Sequence, residues 1–285
     1  MRSFSLWACF VLVVLFPFVG SQSQQSDTSP ESVWFVLSSE SGNPLGIDPV
    51  VRTAGKKLLP VPDYCGDTPG NDEFGKKYLR AGQTYNVMFG GARAGQISYA
   101  PPLAAVDYRG TVEIKGKISA LATNAVIDPA RKNTRKRPTR SESDAGLELA
   151  KTLFANAGVP AHPISKITQD DLTWSTLLPD KSPSLIGSYF LPTGGDIDPS
   201  HALFLVAKRS EGKLSPELSL MRIAKSQTEN ETIRFVDQAD LFGDGQDSII
   251  VINGYYENYR YCIFGRDTDR KGWKQIFETG ILGCE

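Results

Sequence analysis

Histidine is nearly missing from this chain: His162 and His201 are the only two in 285 residues, and no HExxH or HxxxH spacing joins them. A zinc centre built on paired imidazoles is therefore not expected. Cysteine is sparse as well, with Cys9, Cys65, Cys262 and Cys284 and no CxxC pair. That leaves no zinc-finger and no dithiol redox motif. The nucleophile elbow GxSxG is also wanting, since Ile186-Gly187-Ser188-Tyr189-Phe190 does not fit it. Nor is there an excess of one charge: 31 Lys and Arg stand against 32 Asp and Glu. A nearly neutral chain offers no general field for nucleic acid or for an anionic membrane.

Only one long apolar run exists, and it sits at the start. Arg2 supplies a positive charge, residues 4–19 are apolar, and Gly20-Ser21-Gln22-Ser23 follows. This order fits a secretory signal covering residues 1–21, cleaved near Ser21 or Ser23. The run is interrupted by Pro17 and falls short of the about 20 residues a membrane span needs. The expected product is secreted or periplasmic, with no stable membrane insertion after cleavage. It loses Arg2 and Cys9, leaving 30 basic residues against 32 acidic ones. Export permits disulfides. Three cysteines remain, so one bridge and one free thiol is the simplest arrangement. A Cys262–Cys284 bridge would pin the C-terminus, and Cys65 is an equally possible partner for Cys284.

Short strand patterns punctuated by glycine fill the first half. Val33-Trp34-Phe35-Val36-Leu37 reads as a strand, and residues 47–53 and 58–61 read as a hairpin about Gly55. Phe74 and Tyr78 are spaced for a short helix. Residues 84–89 and 96–99 flank the turn Gly90-Gly91-Ala92-Arg93-Ala94-Gly95, with a further strand pair over 106–121. The glycine-rich turn is not a phosphate cradle, because a strand rather than a helix follows it. A small antiparallel sandwich or barrel is expected.

Residues 131–140 break this rhythm with Arg131, Lys132, Arg135, Lys136, Arg137 and Arg140. Interleaved aromatics are lacking, which argues against nucleic acid, and the run reads as a solvated, mobile connector. Thr139-x-x-Glu142 then forms a capping box. Leu147, Ala150 and Phe154 continue at helical spacing until Gly158 and Pro160 end the helix. The expected division is residues 22–128 as a β-sandwich-like domain, 129–158 as basic loop and helix, and 159–285 as a second β domain.

Within that second half, Asp170-Asp171-Leu172 answers Asp240-Leu241, and the apolar runs 185–190 and 249–254 follow in turn. Asp240-Leu241-Phe242-Gly243-Asp244-Gly245-Gln246-Asp247-Ser248 resembles the calcium-type loop of FG-GAP and VCBS repeats. The resemblance implies a C-terminal antiparallel sheet of two such units. It makes Asp240, Asp244, Gln246 and Asp247 the candidate calcium ligands, since such loops aim oxygens inward at alternate positions. Phe242 and Ser248 stand where carboxylates belong, and Asp247 falls one place early. An Asp turn held by side chain-to-backbone bonds is the competing reading, so no cofactor is expected unless it is calcium. Tyr255, Tyr256, Tyr259 and Tyr261 form an aromatic cluster, of which alternate members should point into the core.

The whole reads as a mostly β (α+β) exported protein with one connecting helix. It resembles the exported bacterial proteins that carry degenerate FG-GAP-like repeats. A non-catalytic binding or structural role is expected, with a protein or glycan partner rather than nucleic acid. The alternative is an extracellular hydrolase using carboxylates.

Overall fold

A computed structural model describes residues 30–39, 46–62, 73–100, 105–108, 118–192, 200–225, 231–255, 258–267 and 272–282. The expected signal segment, Cys65, Tyr256 and Cys284 lie outside the described residues. The chain is mostly β. Seven strands make the first sheet: β1 (Ser32–Ser39), β2 (Gly46–Ala54), β3 (Lys57–Leu59), β4 (Thr84–Phe89), β5 (Ala92–Ala100), β6 (Ala105–Tyr108) and β7 (Ile118–Thr123). Their spatial order is β3-β2-β1-β7-β4-β5-β6, with every pair antiparallel. The sheet is open rather than barrel-like. Two four-stranded antiparallel meanders follow. The second sheet is β8 (Thr168–Ser175), β9 (Ser184–Pro192), β10 (Ser200–Ser210) and β11 (Lys213–Ile223). The third is β12 (Thr232–Ala239), β13 (Ser248–Gly254), β14 (Tyr259–Asp267) and β15 (Gly272–Glu278).

Sequence order and layer order differ. The third sheet, last in the chain, lies in the middle of the stack. One of its faces packs Ile250, Tyr261 and Ile263 against Trp34, Val36 and Leu121 of the first sheet. Its other face packs Ile249, Val251 and Phe264 against Ile186, Phe204 and Val206 of the second. Period-two alternation explains why β13 and β10 read as unbroken apolar runs: both faces are covered, so each alternate residue meets a different core. β1 obeys the same rule, with Phe35 on one side and Trp34 and Val36 on the other.

Three helices stand among the described residues: the short helix expected about Phe74 and Tyr78, the connector, and one further turn of helix after it. α1 (Glu73–Tyr78) covers the outer face of the first sheet through Phe74 and Tyr78. α2 (Arg140–Asn156) carries the expected capping box, with Thr139 Oγ1 accepting from Glu142 N and Thr139 N donating to Glu142 Oε2. α2 and the short α3 (Ala161–Ile164) cover the outer face of the second sheet through Ala150, Phe154 and Ile164. α2 crosses close above β9: a Cβ on Gly146 would stand 2.5 Å from the Tyr189 hydroxyl. No helix among the described residues is long and apolar enough to cross a membrane.

Candidate functional site

The three sheets meet at residues 128–137, between β7 and α2. This strap holds most of the basic run, and the structure corrects its reading as a solvated connector. Arg131 and Arg135 turn inward, their side chains only 12% and 14% exposed, onto carboxylates that are fully buried. Arg131 Nη2 donates to both oxygens of Asp247 at 2.6 Å. Arg135 Nη2 donates to Asp237 Oδ1 at 2.9 Å and to the Val236 carbonyl at 2.7 Å. Thr134 Oγ1 accepts from Thr176 N, and Lys136 exchanges both backbone hydrogen bonds with Trp174 on the edge strand β8. The strap thus covers an edge that would otherwise stand unpaired.

The Gly90-Gly91 turn of the first sheet completes the joint. Both residues have positive φ, +61° and +74°, the requirement of a tight hairpin turn. Close approach matters as much. A Cβ on Gly90 would lie 1.9 Å from Asn133 Oδ1, and one on Gly91 2.2 Å from Arg131 Nη2. Gly90 N donates to both oxygens of Asp237, and Gln238 N adds a third donor at 2.7 Å. Asp237 reaches this point because β12 carries a register shift between Phe235 and Asp237, a bulge that re-aims a side chain. Asp247 accepts from Leu178 N and Gln238 Nε2 as well as from Arg131.

Burial pushes both carboxyls above their ordinary range, while the arginine beside each pulls in the opposite direction. Removing either cation would leave an uncompensated buried charge, a far larger penalty than the net worth of the pair. Arg135 is further held between two rings, its guanidinium carbon 4.5 Å from Phe89 and 4.4 Å from Phe235. Beside it opens a cleft of about 490 Å³, lined by Phe89, Arg135, Lys136, Arg137, Thr173 and Phe235 among others.

Of the expected calcium ligands, Asp240 and Asp244 accept from backbone N–H groups of their own loop, and Asp247 is held by Arg131. Asp240 accepts from Asp244 N at 3.0 Å and Gly245 N at 2.8 Å, and Asp244 accepts from Gln246 N at 3.2 Å. Asp247 points inward to Arg131. Gln246 lines a second cleft of about 460 Å³ with Asp244, Asp247 and Lys56. Among the described residues no group of three or more His, Cys, Asp or Glu converges to hold a metal ion. Cys262 is a buried free thiol, raised to about 12 chiefly by burial. Its proposed partner Cys284 lies outside the described residues.

No local sequence pattern marks Asp48. It sits on β2 at the boundary of the first and third sheets, where its Oδ2 accepts from Tyr259 Oη at 3.1 Å and Tyr261 Oη at 2.9 Å. Burial raises its carboxyl, against the pull of both tyrosines. Two of the four clustered tyrosines are therefore structural donors to a buried acid. The readable clue to Asp237 was its position: a charge inside the apolar stretch Ile233, Phe235, Val236 needs a buried partner. Comparison with known families, curated proteins and solved structures finds no match to this chain.

Proposed function

We propose that this is a non-catalytic binding or structural protein acting outside the cytoplasm, exported by residues 1–21. The observation that carries the reading is the commitment of its buried carboxylates. Asp237, Asp247 and Asp48 each take at least one donor from outside their own sheet, from the strap or from another layer, so each acts as a strut. A general acid or base has to exchange its proton with substrate, and a carboxylate clamped by arginine and backbone N–H groups is poorly placed to do so. The resemblance of the 240–248 loop to FG-GAP and VCBS repeats fits the same scaffold role, with a protein or glycan as partner.

One observation favours the hydrolytic alternative: Asp244 and Asp247 line the same 460 Å³ cleft. Against it, Asp247 is saturated by Arg131, Leu178 and Gln238. The test pairs a glycan array and a pull-down on the processed chain with a panel of glycoside, ester and peptide substrates. Turnover that Asp247→Asn abolishes without unfolding the protein would sink the proposal.

A further inference from the structure

We infer that the cleft beside the strap binds an acidic saccharide, gripped by Lys136 and Arg137. The inference rests on the binding-module reading above and names its ligand class. Of the basic run, Arg131 and Arg135 are consumed internally. Lys136 and Arg137 are exposed and have no ion-pair partner among the described residues. That sets them apart from Arg209, Arg222, Arg234, Arg260 and Arg266, each of which meets a carboxylate.

Their backbone is fixed. Lys136 is hydrogen-bonded to Trp174 in both directions, Arg135 anchors the preceding residue, and the Thr139 cap of α2 follows. Two cations held at a set spacing lose little backbone entropy on binding, so they serve a ligand better than the same charges on a mobile loop. With Arg135 neutralised by Asp237, Lys136 and Arg137 line the cleft against a single carboxyl, Asp171, which has interactions of its own. The local field therefore favours an anion although the whole chain is nearly neutral.

Shape and lining narrow the class. About 490 Å³ suits a small ligand rather than a protein surface. Phe89 is 36% exposed and offers an apolar edge beside the cations, with the Thr173 hydroxyl nearby. A sugar ring has an apolar face and hydroxyls, and its sulfate or carboxylate supplies the charge for a bidentate contact with Arg137.

The test is calorimetry on the processed full chain with a heparin-derived disaccharide, inorganic sulfate and neutral cellobiose. The acidic disaccharide should bind, and raising salt from about 0.1 M to about 1 M should weaken it as the screening length contracts. Lys136→Ala and Arg137→Ala should each lower affinity about tenfold or more, as expected for a lost charge-assisted hydrogen bond. The urea midpoint should stay unchanged, because both side chains are exposed. Arg137→Glu provides a second variant that should abolish binding outright. Lys136 should also lose reactivity towards an amine-modifying reagent when the disaccharide is present. Absence of binding, unchanged affinity in the variants, or cellobiose binding as well as the acidic sugar would overturn the site. Equal affinity for inorganic sulfate would overturn the saccharide assignment. A protein or neutral-glycan partner found at another face would remove this site yet leave the binding-module reading intact, whereas substrate turnover would remove the latter.

Discussion

Arg135→Met is the substitution that most directly tests whether the strap joins the sheets. Methionine keeps much of the volume between Phe89 and Phe235 but removes the charge from Asp237, which is fully buried. Breaking a buried pair on one side typically costs about 3–5 kcal/mol, because the remaining ion is uncompensated. Gly90 N and Gln238 N stay on the carboxylate, so the lower half of that range, about 3 kcal/mol, is expected. Adding Asp237→Asn removes the orphaned charge, and the amide oxygen can still accept from both N–H groups. What is then missing is the attraction of a cation to two rings, about 1–2 kcal/mol together. The double variant should therefore be more stable than Arg135→Met alone. Arg135→Lys should fall between, since it keeps the charge but not the planar fork that meets Asp237 and the Val236 carbonyl. Urea unfolding, read by both tryptophan fluorescence and circular dichroism, measures all four proteins. If Asp237→Asn further destabilises Arg135→Met, the buried charge is not what the arginine compensates, and the strut argument fails.

Three further perturbations address the neighbouring parts. Gly90→Ala and Gly91→Ala should each lower the thermal midpoint more than Gly82→Ala. All three incur about 1–2 kcal/mol for a left-handed residue, but only the first two collide with the strap. Equal losses would mean that the turn does not seat the strap. Asp48→Asn should remove a pH-dependent contribution to stability. A folded-state carboxyl raised above its ordinary 3.8 is favoured when protonated, so this site's contribution is largest below that value and declines as pH rises through the folded pKa. Relative to Asp48→Asn, the natural protein should therefore weaken with rising pH, in melting curves taken from mildly acidic to neutral pH; a flat difference would refute the burial of a charged Asp48. Asp240→Ala removes a side chain that accepts from Asp244 N and Gly245 N and should cost about 1 kcal/mol. The loss should be the same with and without millimolar calcium, and a calcium-dependent difference would support the metal-binding reading of the loop instead.

Much of the framework was legible because periodic patterns are local. β1 announces itself as an apolar run from Val33 to Leu37, and its length of unbroken hydrophobicity already implies cover on both faces. α2 is marked by Thr139 and Glu142 at its start and by Gly158, with φ of +84°, at its end. The joint between layers was not legible, and the reason is physical. Six like charges between residues 131 and 140 repel one another locally, so considered alone they belong in water. What draws Arg131 and Arg135 inward is a pair of aspartates more than a hundred positions later, on a sheet whose place in the middle of the stack no local pattern reports. The two halves of each pair carry complementary oddities: a surplus of cations with no local partner, and Asp237 in a strand with no room for a free charge. Matching them requires knowing that Gly90 and Gly91, readable on their own as an ordinary hairpin turn, leave room for a side chain from elsewhere. The same reasoning bears on Lys136 and Arg137. Once Arg131 and Arg135 are accounted for by buried acids, Lys136 and Arg137 remain beside the cleft with no buried acid to meet. Their fixed backbone and open cleft are what the acidic-saccharide proposal draws on, and no local pattern in the run separates them from Lys132 and Arg140.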